Sequence, residues 1–72
     1  MSVLFVFKDR GSAVRFGATL RMRGMSASVV STPPSLGKSC GLSVAVHRNY
    51  RTLAEQVLTE TGLEATVHEY SY

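Results

Sequence analysis

The chain is poor in the residues that carry most recognisable chemistry. Among its 72 residues are one cysteine, two histidines and no tryptophan. A lone cysteine cannot close an internal disulfide. In a reducing compartment Cys40 is therefore either a small buried hydrophobe or a reactive thiol. No Cys-x-x-Cys pair, no His and Cys at metal-ligand spacing and no glycine-rich phosphate loop occurs. We accordingly expect no metal and no cofactor. Apolar runs are short too, and none approaches the ~18 to 20 residues of a membrane span. The opening Met1-Ser2-Val3-Leu4-Phe5-Val6-Phe7 is apolar but too short for a signal-peptide core, and no basic segment precedes it. The expectation is a cytoplasmic protein with no membrane partner.

Acidic residues are scarce in the first part of the chain. All eight Lys and Arg precede Thr52, and four of the five acids (Glu55, Glu60, Glu64 and Glu69) follow it. Two readings remain open: halves that attract each other, or a basic side that meets an anionic partner. A chain this short has room for one domain, residues 1–72, and one core. It buries only roughly 60% of its extended-chain surface.

Proline is confined to one place. Pro33 and Pro34 fall in Thr32-Pro33-Pro34-Ser35-Leu36-Gly37-Lys38-Ser39-Cys40-Gly41, which also holds the cysteine. Two adjacent prolines fix φ and remove two backbone donors, so neither a helix nor a central strand crosses here. Loops of this length in small domains are often functional.

Around that loop the pattern repeats. Val3 to Phe7 is apolar on both parities, the habit of a central strand, with Val3, Phe5 and Phe7 on one face. Ser12 to Arg23 reads as a helix with Ser12 or Asp9 as cap, a buried stripe of Ala13, Phe16, Gly17 and Leu20, and Gly24 as stop. Met25 to Ser31 is a polar edge strand. Leu42, Val44 and Val46 alternate with Ser43, Ala45 and His47 as a third strand. Asn49 to Thr61 is a second helix with Thr52 and Glu55 at capping-box spacing, or Asn49 as an earlier cap. Its expected stripe is Leu53, Ala54, Val57 and Leu58, and Gly62 ends it. Leu63 to Tyr70 is the last strand. The order βαββαβ predicts an α+β fold of the ferredoxin-like kind. That fold has a four-stranded antiparallel sheet, strands one and three central, and two helices on one face. Leu4 and Val6 point to the other face, so we expect open apolar sheet surface there and a homodimer or partner complex.

This topology puts the loop at the sheet end where the first strand finishes and the first helix begins. Cys40 shares the parity of Leu42 and Val44. Helix N-terminal amides and the cations Lys8, Arg10 and Lys38 would favour its thiolate; the plainer reading makes these three solvated loop charges. His47 and His68 belong toward the far end and are not assigned as bases.

From Thr32-Pro33 through Cys40-Gly41 the chain resembles a family of small bacterial selenium/sulfur carrier-like proteins. The resemblance extends over nearly the whole pattern of strands, helices and glycine stops. It departs at Ser31 and Pro34, where the family pattern has Pro and Arg, so one cation that could stabilise a thiolate is missing. The resemblance implies a carrier that holds sulfur or selenium as an adduct on Cys40, with Gly41, Lys38, Lys8, Arg10, Thr32 and Pro33 in support. Donor and acceptor proteins are then its partners, and it is an accessory protein rather than a self-sufficient enzyme. The alternative is a non-catalytic interaction module in which Cys40 is structural. An RNA-reading sheet is disfavoured, because the third strand offers Ser43, Ala45 and His47 rather than aromatics. Lys8-Asp9-Arg10-Gly11-Ser12 is too thin a loop to support an acylphosphatase-like enzyme.

Overall fold

The computed structural model describes residues 2–36 and 41–70, the side chain of Tyr70 excepted. Its elements are β1 (Ser2–Phe7), α1 (Arg10–Met22), β2 (Ala27–Ser31), a 3₁₀ turn (Pro34–Leu36), β3 (Leu42–His47), a second 3₁₀ turn (Arg48–Tyr50), α2 (Arg51–Thr61) and β4 (Ala65–Tyr70). The strands form one sheet in the order β2-β3-β1-β4, with every neighbouring pair antiparallel. The fold is the ferredoxin-like βαββαβ arrangement, with β1 and β3 central as their apolar sequences require. Both helices pack on the face that carries Val3, Phe5, Phe7, Val44 and Val46. Phe16 of α1 is wedged there, its ring centroid 5.0 Å from that of Phe5 and 5.3 Å from that of Phe7.

Helix boundaries follow from their caps. The Asp9 carboxylate accepts from Ser12 N–H at 2.9 Å and from the Ser12 hydroxyl at 2.8 Å, so α1 starts at Arg10, before Ser12. At its other end Met25 N–H donates to the Leu20 carbonyl and Gly24 N–H to that of Arg21, both at 3.0 Å. With Gly24 at φ +84° this is a Schellman stop. Met25 is thereby tied into the turn and buried in the core, which is why β2 begins at Ala27 rather than at Met25.

α2 departs further from expectation. The chain enters through the 3₁₀ turn, whose Asn49 N–H donates to His47 Nδ1 at 3.1 Å. The helix proper starts at Arg51 with no side-chain cap, so the Thr52–Glu55 capping box does not form. Glu55 instead lies 3.7 Å from Arg51 one turn earlier. This entry sets the helix phase so that Ala54 and Val57 are buried, while Leu53 is 49% exposed and leaves the stripe. After Gly62 (φ +72°), Leu63 packs on the core ahead of β4, which begins at Ala65.

The open face also differs from expectation. Leu4 is fully buried and Val6 is 6% exposed. Their cross-strand neighbours are Ala45 and His68 for Leu4, and Ser43 and Thr66 for Val6. The large hydrophobic residues left exposed among those described are Val14, Met22, Tyr50 and Leu53, none of them on the sheet. The two halves of the charge pattern do meet: Arg23 of α1 pairs with Glu60 of α2 at 2.7 Å, and Arg51 of α2 approaches Glu69 of β4 at 3.9 Å. Both pairs are exposed, and such pairs add little stability.

Candidate functional site

The β2–β3 connection is closed at its mouth. Thr32 N–H donates to the Gly41 carbonyl at 2.8 Å, which extends the β2–β3 register by one pair beyond Ser31 and Leu42. Diagonally across the two strands, the hydroxyls of Thr32 and Ser43 lie 2.6 Å apart. Ser43 is completely buried, so Thr32 is the partner that makes its burial tolerable. Thr32, the first residue of the Thr-Pro step, thus works as a clamp. Beyond it Leu36 N–H donates to the Pro33 carbonyl at 3.0 Å, and the two prolines start the 3₁₀ turn. Gly41 sits at φ +92°, and among the described residues, its chain neighbours aside, none comes within 4 Å of where a Cβ would stand. Its φ is a backbone conformation that glycine adopts readily and other residues poorly.

The mouth lies where the sequence placed it. β1 pairs Val6 with Ser43, so Gly41 is at the end where β1 finishes and α1 begins. Lys8 and Arg10 are at this end and are exposed. Lys38 and Cys40 lie outside the described residues. His47 pairs with Ser2 at the opposite end, and His68 is opposite Leu4 with its Nε2 3.2 Å from the Thr66 hydroxyl.

The first-turn amide of Ser12 is already held by Asp9, so the α1 N-terminus carries its own anion. The bonds from the Ser12 hydroxyl and amide hold the Asp9 carboxyl below its ordinary value of 3.8. A second anion at this helix end would face that charge.

Beside the mouth is a cleft of about 590 Å³. Its walls are mostly apolar, from Val6, Phe7, Leu36, Leu58, Leu63 and Ala65, and Lys8 and Glu64 also line it. The sequence offers Lys8 as a supporting cation, but nothing in it marks Ser43 or groups the other cleft residues as one site. Their proximity arises only when β1, β4, α2 and the loop converge. Among the described residues no group of three His, Cys, Asp or Glu could hold a metal, and no helix is long and apolar enough to cross a membrane.

Fold and loop together define a small ferredoxin-like α+β protein whose one distinctive feature is a clamped, proline-led β2–β3 connection running into the only cysteine. The chain belongs to the family described as "Putative Se/S carrier protein-like", whose model matches residues 2–68, the whole connection included. No curated protein and no solved structure matches the chain.

Proposed function

We propose that this protein carries sulfur or selenium as an adduct on Cys40 and hands it to a partner protein. The observation that carries the reading is the family match, which spans the cysteine-bearing connection. The geometry at the mouth supports it. The Thr32–Gly41 bond and the Thr32–Ser43 hydroxyl pair fix both ends of the connection, while Gly41 gives the backbone a turn that other residues adopt poorly. The apolar cleft beside the mouth, which Lys8 helps to line, gives a donor or acceptor protein a surface to dock against.

The transfer is an exchange at sulfur. The Cys40 thiolate attacks the outer sulfur of a donor persulfide, forming a new S–S bond. The donor's S–S bond breaks, its thiolate leaves with the electron pair, and the outer sulfur keeps or re-acquires its proton. No net oxidation occurs, so no cofactor is required. The acceptor's thiolate repeats the step in the other direction. A single thiol with no resolving cysteine suits this role, because an internal second thiol would discharge the adduct as a disulfide. The cytoplasm, where thiols stay reduced, is the proposed setting.

The test is intact mass spectrometry after incubation with a cysteine desulfurase and cysteine or selenocysteine. The folded protein should gain the mass of one sulfur or one selenium atom, the gain should vanish with a thiol reductant, and Cys40→Ser should gain nothing. A parallel pH series of iodoacetamide alkylation should find Cys40 reacting faster in the folded protein than in the unfolded chain near neutral pH. Absence of any adduct, together with slower alkylation when folded at every pH, makes Cys40 a structural residue and defeats the proposal.

A further inference from the structure

β2 is an edge strand, and the phase of its hydrogen bonds shows which groups it leaves unused. In an antiparallel ladder, opposed pairs that exchange bonds alternate with pairs that do not. The Thr32–Gly41 bond sets the phase. By the same register Val30 with Ser43 and Ser28 with Ala45 are bonded pairs. Ala27, Val29 and Ser31 therefore turn their N–H and C=O groups away from β3, toward the margin of the sheet. The Ala27 carbonyl is filled by Arg21 Nη1 at 3.3 Å. Val29 and Ser31 keep two donors and two acceptors that no described residue takes up.

Natural edges are usually blunted by charge, proline or a bulge. The β2 sequence Ala-Ser-Val-Val-Ser has none of these. The other edge, β4, carries His68 and Glu69. We propose that β2 is a dimerisation edge, pairing antiparallel with β2 of a second copy about a twofold axis at Val30.

Self-complementarity selects both the occupant and the register. Centred on Val30, Val29 opposes the partner's Ser31 and Ser31 the partner's Val29. These two pairs form four main-chain bonds and use all four outward groups of Val29 and Ser31 in each copy. The same register sets Ala27, whose carbonyl is occupied, opposite the partner's Pro33, which has no N–H to offer. Centring on Val29 would aim the partner's Ser31 N–H at the filled Ala27 carbonyl, and centring on Ser31 would aim Val29 at the partner's Pro33. An arbitrary foreign strand has no reason to match these two defects.

α1 supplies a second observation. Gly17 lies against the edge strand, its Cβ position 3.0 Å from Val29 Cγ2, and Arg21 reaches Ala27. Val14 precedes them on the same helical stripe, at i−3 and i−7, and is 50% exposed. Because α1 runs antiparallel to β2, Val14 flanks the Ser31 end, next to the axis, where its counterpart would cover it. The Arg21 guanidinium groups sit outside the paired zone. Six residues separate Ala27 from the partner's Ala27 along the strand, about 20 Å, so these charges do not oppose each other. The paired edge is short, and a dimer that dissociates on dilution is expected.

The pairing does not depend on the carrier reading, and its test does not use adduct formation. In concentrated protein the Val29 and Ser31 amides should exchange with deuterium at least about tenfold more slowly than in dilute protein, although both sit on an edge. In a Cys40→Ser background, Val30→Cys should oxidise to a cross-linked dimer, whereas Ser28→Cys, facing the partner's Thr32, should not. Val30→Lys, which sets two ammonium groups face to face across the axis, should stay folded by circular dichroism and be monomeric. A strict monomer at millimolar concentration with fast exchange at both amides overturns the proposal. Equal cross-linking at positions 28 and 30 overturns the register, and protection appearing only with a different protein overturns the second copy as occupant.

Discussion

Replacing Thr32 by Val removes one hydroxyl and leaves the shape of the side chain nearly unchanged. The consequence falls on Ser43. Its hydroxyl is completely buried and Thr32 is its partner at 2.6 Å. An unpaired buried hydroxyl costs about 1–3 kcal/mol, more than the ~1 kcal/mol that a hydrogen bond contributes on average. Ser43→Ala should be milder, because Thr32 is only half-buried and water can replace the lost partner. The double variant Thr32→Val/Ser43→Ala removes both groups and should recover most of the loss. Urea denaturation of the four proteins gives the coupling energy directly. In thermal melts a domain of this size moves by ~4–8 °C per kcal/mol, so the single and double variants should separate clearly. If Thr32→Val and Ser43→Ala are equally mild and additive, the hydroxyl pair is not a clamp and the reasoning fails. If Thr32→Val still loads a chalcogen on Cys40 while folded, Thr32 positions the loop and takes no part in the chemistry.

Gly17→Val should destabilise by roughly 1–3 kcal/mol through overpacking, because even a Cβ at this position would stand 3.0 Å from Val29 Cγ2; chemical denaturation measures it. Phe16→Ala empties the space between Phe5 and Phe7 and should lower stability by about 3–5 kcal/mol, enough to leave a domain of this size largely unfolded by circular dichroism. Asp9→Ala should shorten α1 at its start and remove part of the acid dependence of stability. The folded carboxyl is held below its ordinary value, so its contribution is complete above the unfolded value and is lost as pH falls through the folded one. Melting temperatures of the wild type and Asp9→Ala should therefore converge at low pH, and a constant gap between pH 6 and pH 2 would refute this.

The sequence by itself determined the order of elements and the helix-facing residues of the first and third strands. Period-2 runs, helical stripes and glycine stops are local signals, and Val3, Phe5, Phe7, Phe16 and Leu20 needed nothing distant to be read as core. It also placed the cysteine loop at the α1 end of the sheet, because βαββαβ allows one compact arrangement. Helix entry at α2 escaped it. A capping box at Thr52 and Glu55 is a valid local solution, and the 3₁₀ turn after His47 displaced it, moving Leu53 into solvent. The cover over Leu4 and Val6, the burial of Ser43 and its hydroxyl bond to Thr32 were settled only by tertiary structure. Each depends on strand register, and register joins residues eleven or more positions apart whose identities carry no mutual mark. The unused groups of Val29 and Ser31 belong to the same class. Hydrogen-bond phase is a property of the paired sheet, and a strand's own residues do not reveal which of its amides will face a neighbour and which will face out.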